Sequence, residues 1–135
     1  MAVQCGDDEE MARRAAWAFG KAGEKRPEWL YRHLDALVNL LKVQNHPAIP
    51  RNIYRVLQYA EIPADYHAQL FDLCLSELND PRTPAAIKVF AMTVAANICS
   101  DQAELSTELK LSIGQNLRYG SAGFRNRAGK ILRRL

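Results

Sequence analysis

Three stretches of this chain superimpose on one another: Met11-Ala-Arg-Arg-Ala-Ala-Trp-Ala-Phe19, Ile49-Pro-Arg-Asn-Ile-Tyr-Arg-Val-Leu57 and Thr83-Pro-Ala-Ala-Ile-Lys-Val-Phe-Ala91. A weaker fourth copy starts near Gly120. With Ala15, Ile53, Ile87 and Phe124 as equivalent positions, the steps are 38, 34 and 37 residues. A period in this range marks a stacked repeat, in which each copy is one supersecondary unit that buries its apolar face against its neighbours.

Each step holds two helices. Pro27, Pro47, Pro50, Pro63, Pro81 and Pro84 precede or open stretches with apolar residues at three- and four-residue intervals. Proline in a first turn suits a helix start, because its missing N–H would have no intrahelical partner there. The expected segments run from about Asp8 to Ala22, Pro27 to Val43, Pro47 to Tyr59, Pro63 to Leu78, Pro81 to Cys99, Gln102 to Arg118 and Ser121 to Leu135. None keeps a period of two, so the chain is all-α, with about seven helices. Gly120 is placed for a left-handed C-cap and Ser121 for an N-cap. The connections are short, which makes successive helices antiparallel neighbours. On the second helix of each pair, Leu30, Leu34, Leu37 and Leu41 share a face, as do Tyr66, Leu70 and Leu73, and then Leu105, Leu109 and Ile113.

At 135 residues and 48% hydrophobic composition, one domain spanning 1–135 is expected. A chain of this size buries roughly two-thirds of its unfolded surface and needs no disulfide or metal to fold. The repeats fall at approximately 8–44, 46–79 and 80–118, with a capping helix at 121–135.

These features resemble a known family. A first helix rich in small apolar residues with an early basic one, as in Arg13-Arg14-Ala15-Ala16-Trp17 and His46-Pro47 with Arg51, is followed by Pro27-Glu28-Trp29-Leu30 with Leu34 and Leu37. That pattern is similar to HEAT or HEAT-like repeats. The run from Arg14 onward, including Asn79-Asp80-Pro81 and Ala86-Ile87-Lys88-Val89-Phe90-Ala91-Met92, resembles small bacterial HEAT-like (armadillo-type helical) repeat proteins of unassigned activity. The usual Asp-Val-Arg step between repeats is missing. The resemblance implies a right-handed α-α superhelix, or solenoid, of HEAT-like helix pairs whose apolar faces make one continuous core.

The start, MAVQCGDDEE, has neither the basic n-region nor the apolar h-region of a secretory signal. The most apolar stretch, Ala85 to Cys99, is broken by Lys88, Thr93 and Asn97 and is too short to span a membrane. Cys5, Cys74 and Cys99 match neither a C-x-x-C redox pair nor a zinc pattern and suit a reducing compartment. A cytoplasmic protein is expected.

Catalytic sets are hard to assemble. The sequence has no Gly-rich phosphate loop, G-x-S-x-G, H-E-x-x-H or acidic calcium loop. His33, His46 and His67 each stand apart from other ligand residues and read as surface or helix-end residues. Asp7-Asp8-Glu9-Glu10 opens a helix, where the dipole favours negative charge, so it reads as a cap. Cys74 and Cys99 read as small core hydrophobes, and Cys5 lies in a fraying terminus. No catalytic residue, metal ligand or cofactor is assigned.

Surface is what remains. Second helices of helical repeats usually line the concave, binding side. Steps of 100° put Glu28, Arg32, Asp35, Asn39 and Lys42 on one polar stripe; the next second helix gives Asp65, Gln69, Asp72 and Ser76, and the third gives Thr107, Lys110, Gly114 and Arg118. These are the candidate partner-binding residues. A second candidate is the tail, where Arg118, Arg125, Arg127, Lys130, Arg133 and Arg134 occur without an acid. The net charge of +3 thus divides into +6 there and −3 before it. Around an apolar stripe of Phe124, Ala128, Ile131, Leu132 and Leu135, those bases are candidates for anions or nucleic acid; they also suit a polar terminal cap. The first segment, with Met11, Ala12, Ala15, Ala16, Trp17 and Phe19, is apolar over more than one stripe, which makes Met11 and Trp17 candidates for self-association as a homodimer or for another contact.

The expected function is therefore non-catalytic binding of a protein or peptide by a helical-repeat scaffold. Nucleic-acid binding through the basic C-terminal helix is the alternative. A lyase or other enzyme comes last, because it needs an acid/base constellation that the three scattered histidines do not supply.

Overall fold

The prolines mark where helices begin. The computed structural model describes residues 28–43 and 46–135, with side chains from residue 32 onward. Within it lie α1 (Glu28–Lys42), α2 (Ala48–Leu57), α3 (His67–Asn79), α4 (Ala85–Ile98), α5 (Ala103–Asn116) and α6 (Ala122–Arg134). Single 3-10 turns precede α3 (Ala64–Tyr66) and follow α5 (Leu117–Tyr119). No strand occurs among the described residues, and the fold is all-α. The helix expected from Asp8 to Ala22 lies outside them.

Two local expectations are corrected. The segment placed from Pro81 starts at Ala85 instead. Asp80 holds residues 80–83 in a turn: its Oδ1 accepts from the Arg82 N–H at 2.9 Å and its carbonyl from the Thr83 N–H at 3.1 Å. Pro84, at φ −59° and ψ 149°, disfavours a helical Thr83, so the helix begins just after it. Gly120 is extended at φ −81° and ψ 152°, not left-handed. Glycine is required there by packing, because a Cβ would stand 2.5 Å from Cδ1 of the buried Phe124 ring. Ser121 does cap α6, its Oγ accepting from the Phe124 N–H at 3.1 Å.

The chain divides into two compact units, Met1–Glu61 and Ile62–Leu135. In the first, α1 packs on α2. The predicted face of α1 is inside, with Leu34, Leu37, Val38 and Leu41 buried, and α2 buries Ile49, Ile53, Tyr54, Val56 and Leu57. That spacing is the apolar stripe of an amphipathic helix.

In the second unit α3 packs most extensively on α4, α4 also on α6, and α3 also on α5. Helices one repeat apart are therefore neighbours: second helix beside second helix, first beside first. The core comprises Leu70, Phe71, Cys74 and Leu78 of α3, Leu109 and Ile113 of α5, and Phe124, Ala128 and Ile131 of α6, all around α4. α4 buries Ile87, Ala91, Met92, Val94, Ala95, Ala96 and Ile98 because it has neighbours on several sides, which is why its sequence is apolar almost all round. Its alanines let those neighbours come close. Phe124 is 1% exposed, and truncating it to alanine would cost about 3–5 kcal/mol.

Candidate interaction surface

The polar ties between α3 and α5 fix the surface they share. At their N-terminal ends the His67 ring accepts a hydrogen bond at Nδ1 from the Gln102 amide, 3.1 Å away. His67 Nε2 lies 2.8 Å from the Ile62 carbonyl, which can only accept, so Nε2 carries the proton. Gln102 Nε2 also donates to the Ile98 carbonyl at 3.1 Å. At the C-terminal ends Asn79 Oδ1 accepts from Ser112 Oγ at 3.0 Å and from Asn116 Nδ2 at 2.9 Å. These partners are 35, 33 and 37 residues apart, one repeat step each. α3 and α5 thus run parallel, tied at both ends.

The predicted stripes face out, between the ties and just beyond them. Asp65, Asp72 and Ser76 are exposed and Gln69 is half-buried; Thr107, Lys110, Gly114 and Arg118 are all exposed. Asp72, Ser76 and Lys110 have no hydrogen-bond or ion-pair partner among the described residues, whereas Thr107 Oγ1 donates back to the Ala103 carbonyl at 3.1 Å. Leu111 of α5 is 61% exposed and Tyr119 78%, with the Arg118 guanidinium carbon 5.7 Å from the Tyr119 ring centroid. Leu111 lies opposite the Leu105, Leu109 and Ile113 face at 100° per residue, which is why this leucine is exposed. In the other unit Arg32, Asp35, Asn39 and Lys42 are exposed on α1, and the side chain of Glu28 lies outside the described residues.

The basic tail is arranged differently. Arg127 Nη1 donates to Thr93 Oγ1 at 2.6 Å and Arg134 Nη2 to Asn97 Oδ1 at 2.8 Å, tying α6 to α4 at steps of 34 and 37 residues. Arg125 donates from Nε to the Leu117 carbonyl and from Nη2 to the Arg118 carbonyl, both at 3.1 Å, and so satisfies chain-end acceptors of the 3-10 turn. Among the described residues, Lys130 and Arg133 have no such partner. Met11 and Trp17 lie outside the described residues.

A family model described as HEAT repeat domain matches residues 2–134. The chain belongs to the HEAT repeat family. No curated protein and no solved structure matches it. For a HEAT repeat protein the side-chain bonds at steps of 33–37 residues have a clear meaning: they join equivalent helices of successive repeats.

The remaining titratable groups of this HEAT repeat protein support the fold. Asp80 receives Arg82 Nε and Nη2 at 3.2 Å each, and these bonds together with the Arg82 N–H hold its carboxyl below its ordinary value of 3.8. Burial pushes the Cys74 thiol up, with the Glu77 carboxylate adding to the effect, and burial likewise raises Cys99. His46 Nδ1 accepts from the Ala48 N–H at 3.1 Å, at the start of α2. Among the described residues no three His, Cys, Asp or Glu side chains are grouped to hold a metal ion, and no helix is long and apolar enough to cross a membrane. A cavity of about 190 Å³ opens between the starts of α4 and α6, where Thr83, Lys88, Asn116, Tyr119 and Ser121 contribute polar groups but no carboxylate.

Proposed function

We propose that this HEAT repeat protein is a non-catalytic scaffold that binds a protein or peptide along the outward face of α3 and α5. The observation that carries the reading is the pairing of rigidity with free polar groups on α3 and α5. The helices are tied at both ends, while Asp72, Ser76 and Lys110 between the ties have no hydrogen-bond or ion-pair partner among the described residues. Such a surface loses little conformational freedom when a partner docks. The basic helix is a weaker candidate for nucleic acid, since Arg125, Arg127 and Arg134 donate to acceptors within the fold. The unpaired, buried thiols Cys74 and Cys99 suit the reducing cytoplasm.

Affinity capture from nuclease-treated lysate tests this. The wild-type chain is expected to retain a protein that Asp72→Lys/Lys110→Glu does not retain, while Lys130→Glu/Arg133→Glu keeps it. Equal retention by the first variant overturns the reading.

A further inference from the structure

The outward face of α5 carries Glu104, Thr107, Glu108, Leu111 and Gln115, all exposed, and Arg118, in the 3-10 turn that follows the helix, is exposed as well. Leu111 stands at the midpoint. Glu104 precedes it by seven residues, two turns of α5 or about 10.5 Å, and Arg118 follows it by seven, in the 3-10 turn just past the end of the helix. Neither Glu104 nor Arg118 forms an ion pair among the described residues, and no Asp or Glu follows Glu108 in the chain. The face therefore runs from acidic, through an exposed leucine, to basic.

Such a series is its own complement under a twofold rotation about the leucine. We infer that α5 pairs antiparallel with α5 of a second copy of this chain, Leu111 against the second copy's Leu111. The inference rests on the reading of this face as a protein-binding surface and names the partner. Because Leu111 is midway between them, Glu104 of each copy meets Arg118 of the other, and one surface supplies both halves of an isologous interface. Parallel pairing would instead set Glu104 against Glu104 and Glu108 against Glu108, and like charges across an interface oppose association. Gly114 falls opposite the second copy's Glu108. A Cβ there would have nothing within 4 Å, so the glycine leaves an open site on the helix for that longer side chain. Exposed Leu111 and Tyr119 supply the apolar contact. One helix face is small beside the roughly 1,600 Å² buried in standard interfaces, so the association is expected to be weak.

Sedimentation equilibrium of the full chain, from about 10 µM to about 1 mM, reads the association constant directly. The wild type is expected to dimerise, more weakly as salt is raised. Leu111→Lys, Glu104→Arg and Arg118→Glu should each lower the constant by about tenfold or more, and Glu104→Arg/Arg118→Glu should restore it to within about threefold of wild type. All these positions are exposed, and an unchanged circular dichroism spectrum verifies folding. A wild type that stays monomeric, a dimer indifferent to Leu111→Lys, or a double variant as weak as the singles overturns the pairing. Asp72→Lys on α3 separates the two readings: loss of a captured partner by this variant, with a monomeric wild type, defeats self-pairing and leaves the scaffold reading standing.

Discussion

Arg127 donates to the hydroxyl of Thr93 across 2.6 Å and one repeat step of the stack, 34 residues back along the chain. Thr93 in turn donates to the Val89 carbonyl at 3.2 Å, so the arginine is held through a threonine already bound to its own helix. A base that looks available for phosphate is a tie between α4 and α6. Arg127→Ala should lower stability by about 1–2 kcal/mol, the value of a charge-assisted bond reduced by partial exposure, and Lys130→Ala by less than about 0.5 kcal/mol. Urea unfolding of both variants checks the difference.

Asn79 Oδ1 accepts from Ser112, which is only 5% exposed, as well as from Asn116. Asn79→Ala leaves the buried hydroxyl without its acceptor and should cost about 1–3 kcal/mol. Asn79→Asp keeps an oxygen in place and should cost less. If the two variants unfold at the same urea concentration, the oxygen is not what matters.

The repeat itself was legible in the sequence, because apolar spacing and proline positions both report helices and both recur at 34 to 38 residues. Buried Leu34, Leu37 and Leu41 of α1, Leu70 of α3 and Leu109 of α5 follow from the same spacing, whereas Leu73 and Leu105 on those faces are only half-buried. The cross-repeat polar bonds were not legible. His67 reads as an isolated first-turn histidine until Gln102, 35 residues on, is seen to donate to it. The six bases of the tail look equivalent by charge, yet geometry divides them into those reaching carbonyls, a hydroxyl or an amide and those reaching solvent. Gly120 was legible as a necessary glycine, but its reason is the Phe124 ring, a tertiary contact that turn propensities do not contain.

Two glycines should respond oppositely to alanine. Gly120→Ala drives a methyl into Phe124, which is held by the core, and should destabilise by about 1–3 kcal/mol. Gly114→Ala, inside α5 with open space at the Cβ position, should stabilise by about 0.5–1 kcal/mol. Thermal melts of the pair test both signs together.

Asp80 sets an acid-side dependence. Its folded carboxyl is held below 3.8 by the hydrogen bonds from Arg82, so the unfolded chain binds its proton at higher pH than the folded one. The stabilising contribution is complete above the unfolded value and is lost as pH falls through the folded value. Asp80→Asn removes the titration, and the stability gap between wild type and variant should narrow as pH drops below about 4. A gap that is constant from neutral to acid pH would show that the carboxylate contributes nothing.

The central claim is that the outward face of α3 and α5, not the basic helix α6, meets the partner. Hydroxyl-radical footprinting of the captured complex measures this most directly. The account predicts that labelling falls at Leu111 and Tyr119, the large exposed side chains beside the α5 stripe, while Leu132 and Leu135 of the C-terminal segment label as in the free chain. Protection confined to α6, with Leu111 labelled as strongly in the complex as alone, would contradict it.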